Sequence, residues 1–400
     1  MIGRRDPTAA APSAKRSWLA VAAMFALNGG LFGTWASRIP SVTARHDLGG
    51  GELGLLLLML AIGAIASFPL AGRAADHFGA APATLAIGVG YAVALPLIAL
   101  APSVPFLAVA LCLFGAGHGA MDVTMNSWAG EAERFIQRPV MSSFHALWSL
   151  GAGVGALSGF AATSLGLGLV AHFFVMGATL WATASWLGHI GWRSETRDRA
   201  PGARRFPLPR GALFWIGLVA MCSALGEGAI ADWSALFLVS VTRVSEAQAA
   251  LGYAVFSVAM VAMRLVGGVA ISRLGAVRVA RLAGCLAFAG VLLAVLSGQF
   301  GAALAGFALL GLGYAMIMPL AFTRAANDPE TPPGVAIASV ATLGYGGILI
   351  GPPLIGFTAH FITLHYAFAL LGVLALVIIA KASALAPPTS SAGGAEPFPQ

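Results

Sequence analysis

Between Gly191 and Gly211 the chain stops being apolar for 21 residues and places six arginines there: Arg193, Arg197, Arg199, Arg204, Arg205 and Arg210. On either side lie two long, almost unbroken apolar stretches, 18–190 and 212–386. Two such stretches exceed what a water-soluble core can hold, and a basic break between them divides two membrane halves.

Composition agrees. Only 9% of residues are charged and 58% are hydrophobic, whereas a soluble domain carries about 25% charged residues. The net charge of +7 invites a nucleic-acid reading. The basic residues, however, sit in short loops between apolar spans, which points to membrane orientation and away from a nucleic-acid partner. Cys112, Cys222 and Cys285 lie inside apolar runs without metal-ligand spacing and read as inert packing residues. Residues 1–17 are polar and read as a tail, not a signal peptide, and 387–400 reads as a disordered tail.

Hydropathy predicts spans at 18–38, 53–71, 83–101, 104–127, 140–162 and 167–190, then 212–239, 248–271, 277–297, 300–322, 334–357 and 363–385. The expected fold is an all-α membrane protein of twelve transmembrane helices, six in a bundle over 18–190 and six over 212–386, joined by 191–211. The runs do not alternate as barrel strands would. With the N-terminus cytoplasmic, 18 of the 22 Lys and Arg face the cytoplasm and only Arg38, Arg45 and Arg243 the other side. Both termini and the linker are therefore expected inside, in a cytoplasmic (inner) membrane.

The halves resemble each other. Gly30 and Trp35 recur as Gly228 and Trp233, and Leu53-Gly54 recurs as Leu251-Gly252; Gly79-Ala80 has its counterpart in Gly275-Ala276. A parallel duplication of this kind is used by alternating-access transporters, with solute bound between the halves.

Two loops carry a motif. The first reads Gly72-Arg-Ala-Ala-Asp76-His77-Phe78-Gly79 and the second Gly268-Val-Ala-Ile-Ser272-Arg273-Leu274-Gly275. They resemble the G-x-x-x-D-R-x-G signature of the major facilitator superfamily, with His77 replacing the arginine and Ser272 the acid. The resemblance covers nearly the whole chain and implies the two-bundle fold, a usually monomeric protein, and a cytoplasmic gate at Gly72, Asp76, Gly79, Gly268, Arg273 and Gly275. The stretches MDVTMNSWAGEAER, RPVMSSFHALWSLGAGVGA and GEGAIADWSALF are distantly similar to proton-coupled sugar permeases. Superfamily antiporters often carry Gly-Pro in span 5; this span 5 has four glycines and no proline, which argues against drug/proton antiport.

Ionisable groups inside spans cost about 2.5–3.5 kcal/mol each and so call for a reason. His118, Asp122 and Asn126 share one face of span 4, and His145 lies at similar depth on span 5, so Asp122 and His145 can share a proton or form a static tie. Glu227 sits near the centre of span 7 and suits a proton carrier, the alternative being a neutralised structural acid. Asp232 either meets water or pairs with Arg38. Arg264 reads as a snorkelling group or a gate salt bridge. Asn28, with Phe32 and Trp35 on its face, is a surface a sugar or an amphipathic organic molecule would meet. Trp35 and Trp233 read as interfacial belt residues, and Trp148 as a stacking platform or a packed aromatic.

The expected activity is secondary active transport of a small, sugar-like organic solute by proton symport. A drug or metabolite efflux antiporter and a non-transporting sensor remain open. A nucleotide-binding loop, a metal cluster and a nucleophile–base pair are all missing from the sequence, so an enzyme, a cofactor and a metal are not expected.

Overall fold

The computed structural model describes residues 13–138, 140–196, 208–331 and 333–388. The expectations for residues 1–12, for Arg197, Arg199, Arg204 and Arg205, and for most of the C-terminal tail lie outside the described residues. The described chain is all helix, without a strand, and twelve of its helical segments are long and apolar enough to cross a membrane.

The first half consists of α1 (Ala14–Ser37), a short α2 (Ile39–Arg45), α3 (Gly50–Phe78), α4 (Ala80–Leu100), α5 (Val104–Ile136), α6 (Met141–Ser164) and α7 (Leu169–Gly188). The second consists of α8 (Ala212–Val241), α9 (Glu246–Leu274), α10 (Ala276–Ser297), the broken span α11 (Phe300–Tyr314) and α12 (Ile317–Ala326), α13 (Pro333–Phe361), and the broken span α14 (Leu364–Ala367) and α15 (Ala369–Lys381). Several helices outrun their hydropathy windows. The fourth span was expected to end at 127 and continues to Ile136, because its last turns carry Glu131, Glu133 and Arg134, which helix geometry accepts and a hydropathy sum rejects.

Ser245 caps α9 through its hydroxyl and Gln248, a box that fixes where the helix starts. Gly79 and Gly275 make the tight turns α3–α4 and α9–α10 at φ of 90° and 79°. A side chain is strained there, which accounts for glycine at both repeats.

The duplication is visible in the packing. In the first half α1 pairs with α6, α3 with α5 and α4 with α7; in the second, α8 pairs with α13, α9 with α11 and α10 with α15. The α1–α6 contact is nearly backbone on backbone. A Cβ on Gly29 or Gly33 would strike the carbonyls of Trp148 or Ala152, and one on Gly151 or Gly155 those of Ala26 or Gly30. Small residues permit this approach where lipid gives helices no hydrophobic drive to associate. Exposed apolar side chains such as Leu70, Phe106, Val109 and Leu265 cover the outside.

The halves meet along two seams, α6 against α9 and α3 against α13. At the end away from the linker, Arg38 Nε donates to Ser41 Oγ (2.9 Å) and lies 3.5 Å from Glu246 Oε1, while the Ser41 hydroxyl donates to the same carboxylate. Gly50 and Gly54 back onto Gly356 and Pro352 there. Going toward the linker, hydrogen bonds and ring contacts between the halves end at Arg264 with His145 and at Tyr345 with Phe68. Among the described residues none joins the halves beyond that level.

Two expectations are corrected here. Trp35 and Trp233 are 0% exposed, so they are core side chains and not a belt; an indole fills interior volume as readily as it meets an interface. Asp232 does not pair with Arg38, because Glu246 at the start of α9 reaches that guanidinium instead. Of the cysteines, Cys222 is buried, Cys112 is partly buried and Cys285 is exposed.

Candidate solute and proton site

Along α8, residues 222–226 and 229–235 are buried, but Glu227 and Gly228 between them are partly exposed. A Cβ on Gly228 would meet nothing within 4 Å. The middle of this span therefore borders open space. The Ser223 hydroxyl, one turn earlier, has its one proton within reach of Glu227 Oε1 (3.3 Å) and of Tyr314 O (3.4 Å).

The facing wall belongs to the first half. Asn28 is 0% exposed and uses both ends of its amide: Nδ2 donates to His118 O (3.1 Å), and Oδ1 accepts from Trp148 Nε1 (2.8 Å). One side chain thus ties α1 to α5 and α6. The Tyr91 hydroxyl lies 3.1 Å from His118 Nδ1 and 3.4 Å from Asn28 O. It has one proton; when that goes to Asn28 O, His118 Nδ1 must be the donor and Nε2 is left as a bare acceptor. Phe32 stacks near His118 (4.9 Å), Trp148 (6.3 Å) and, across the halves, Tyr253 (6.4 Å). Tyr253 shares α9 with Arg264, and Glu227 and Asp232 lie on the adjacent α8. One wall is thus aromatic with amide and imidazole groups, and the other carries the charges.

Arg264 leaves α9 and crosses the seam, where its Nη1 donates to His145 O (3.2 Å) and to Ser149 Oγ. On the other seam Asp122 accepts from Asn126 Nδ2 (3.1 Å) and, at 3.5 Å, from the Tyr345 hydroxyl of α13.

The structure assembles part of the expected constellation. Asn28, His118 and Trp148 come together, and Asp122 joins Asn126. Asp122 and His145 do not meet: α5 and α6 hardly touch, and the His145 ring lies edge-on to Phe25 (5.2 Å). Equal depth on consecutive spans had suggested the pair, but α5 packs on α3 and α6 on α1. Arg264 neither snorkels nor forms a gate ion pair; its partners are a carbonyl and a hydroxyl. Asp232 is buried on α8, without a hydrogen bond among the described residues. In the two motif loops, Gly72 and Gly268 have open space beside them. Asp76 and Arg273 make no ion pair among the described residues. Gly79 abuts Ser194, whose hydroxyl accepts from Ala81 N (2.9 Å).

The sequence reading missed the tyrosines. All five, Tyr91, Tyr253, Tyr314, Tyr345 and Tyr366, lie inside spans, and the first four are packed against the interior or the seam. A phenol in an apolar span is a polar group needing a partner, so the rule applied to His, Asp and Glu would have found them.

Comparison with known proteins identifies the frame. The family model described as Major Facilitator Superfamily matches residues 18–348. The uncharacterised transporter y4wD of Sinorhizobium fredii is 45% identical over 368 residues, covering 92% of this chain and 98% of its own. An uncharacterised MFS-type transporter of Yersinia pestis is 37% identical, covering 88% and 91%. Among solved structures, the nucleoside transporter NupG superposes with a TM-score of 0.69 at 15% identity, covering 92% of this chain and 98% of that one. The sequence match, its coverage and the duplicated six-helix architecture agree, and the chain belongs to the major facilitator superfamily of membrane transporters.

Proposed function

We propose that this transporter moves a small, sugar-like organic solute together with protons, by rocking of the bundles 18–190 and 212–386 about the site between them. The observation that carries the proposal is Glu227: a carboxylate in mid-span, beside open space, with a hydroxyl in reach and no ion pair among the described residues. A carboxylate so placed is unstable when charged and empty-handed, so it takes and releases a proton as water reaches it from one side or the other. The Phe32, Trp148 and Tyr253 rings supply the flat apolar faces on which a sugar ring packs, and His118 and Asp122 supply polar contacts.

In this reading the protein is a monomer in a bacterial inner membrane, with both termini and the arginine linker in the cytoplasm, and 191–211 tethers two bodies that must move relative to each other. The test is uptake into proteoliposomes across a panel of sugars and sugar derivatives, with and without an inward proton gradient. Uptake should rise with the gradient. The Glu227→Gln protein should still exchange labelled for unlabelled solute but no longer accumulate it. Accumulation by Glu227→Gln equal to wild type removes Glu227 from coupling, and binding without flux points to a sensor.

A further inference from the structure

Among the described residues, the guanidinium of Arg264 is the one cation that bridges the two halves where their contacts stop on the linker side, and it is only half used. Nη1 donates to His145 O and Ser149 Oγ, which accounts for both of its protons. Nε and Nη2 have no hydrogen-bond acceptor among the described residues, and they are not sealed away, because Arg264 is only partly buried. Glu227, on the adjacent α8, forms no ion pair with it. Of the other acids within or beside the seam, Asp122 is held by Asn126 and Tyr345 and Glu246 by Arg38, and Asp232 forms no ion pair with Arg264.

The unused edge has a definite shape. Nε–H and the near proton of Nη2 are parallel donors in one plane, the side-on fork that grips a carboxylate or phosphate with two bonds. The anchoring of Nη1 to the opposite half fixes the direction of that edge, so the ordering cost of the long side chain is already met. Holding a guanidinium inside a span with neutral acceptors alone is also unfavourable, and an anion arriving at the free edge relieves it.

We infer that Arg264 binds a negatively charged group on the transported solute, so that the solute is an organic anion whose ring lies toward Phe32, Trp148 and Tyr253. This rests on the transport reading and narrows its substrate class: a sugar acid and not a neutral sugar. Arg264 touches both halves through the same guanidinium, so an anion on its free edge also bears on the seam that must part during transport.

The test uses matched pairs that differ only in charge: glucuronate with glucuronamide, and benzoate with benzamide. Each is titrated into the purified full-length protein and read by the shift in thermal unfolding. The acid of at least one pair should stabilise the protein at concentrations about tenfold or more below its amide, as a charge-assisted fork requires. That preference should vanish in Arg264→Gln and persist in part in Arg264→Lys, with both variants unfolding cooperatively without ligand. Equal responses to acid and amide in both pairs, or an acid preference that survives Arg264→Gln, overturn the inference. Neither result touches the proton-driven uptake measurement, so transport and anion recognition fail separately.

Discussion

Arg38, in the turn after α1, lies 3.5 Å from Glu246, the first residue of α9, and the pair joins the two halves at the end away from the linker. The Arg38 side chain is 6% exposed and that of Glu246 29%. Coulomb attraction across so unequal a pair is modest, but removing the carboxylate leaves a buried guanidinium unpaired, a loss of about 1–3 kcal/mol. If this pair holds the far end shut, Glu246→Ala should shift the population toward forms open there. Spin labels at Ala44 and Arg243, on a background with the three cysteines replaced, report the separation. The distance distribution should broaden to longer values in Glu246→Ala and recover in the charge swap Arg38→Glu/Glu246→Arg. An unchanged distribution in Glu246→Ala means the glycine contacts close that end alone.

Asn28 is spent on structure as much as on any solute. Asn28→Leu keeps similar volume but orphans the Trp148 indole N–H and removes the tie to the His118 carbonyl, which keeps its bond within α5. A buried unpaired donor costs about 1–3 kcal/mol, so unfolding in detergent should shift downward by a few degrees. Asn28→Asp keeps the acceptor for Trp148 and loses the donor to His118, and it should fall between wild type and leucine. A leucine variant as stable as wild type would show that both ties are replaceable.

The linker begins as a strap. Trp192 Nε1 donates to Glu131 Oε2 (2.7 Å), Glu195 N to Glu131 Oε1 (3.2 Å), and Arg134 lies 3.2 Å from the Glu195 carboxylate. The Arg134–Glu195 pair is exposed on both sides and contributes little, so Glu131 is the anchor. In Glu131→Ala, trypsin should cut after Arg193 about fivefold or more faster, as expected when a local opening becomes easier by about 1–2 kcal/mol. Mapping the fragments by mass distinguishes this cut from those farther along the linker. An unchanged rate after Arg193 means the segment is held by packing on Gly79 and Phe135.

The twelve spans and their division at the arginine linker were legible because lipid demands long apolar helices, a one-dimensional signal. The glycine pairs at offset 198 carried the duplication equally well. Depth along a helix could also be counted: it put Glu227 slightly beyond mid-span and Arg264 toward the linker end of its span, the level at which the hydrogen bonds between the halves stop. Which spans touch was not legible. The pairing of α6 with α1 and not with α5 separates His145 from Asp122 and sends Arg264 across to Ser149. Direction around a helix decided Trp35 and Trp233 as well, since the same residue at the same depth is a belt on one face and core on another. The tyrosines were written in the sequence but escaped because a phenol hardly lowers a hydropathy window.

Two glycines, one in α6 and one in α8, separate packing from function. A methyl group on Gly155 would run into the Gly30 carbonyl and the Thr34 amide of α1, both backbone and neither able to rotate away. Gly155→Ala must push α1 and α6 apart, at about 1–3 kcal/mol, and should unfold several degrees below wild type. Gly228 has the opposite surroundings, with nothing within 4 Å of the added carbon. Alanine there removes backbone freedom from the unfolded chain and raises helix preference by about 0.5–1 kcal/mol, so Gly228→Ala should be as stable as wild type or more so. Its methyl enters the space beside Glu227, where a solute and its proton must pass, and it should slow driven uptake while leaving the fold intact. Gly228→Ala that unfolds early, or that transports at the wild-type rate, means the opening beside Glu227 is not on the transport path.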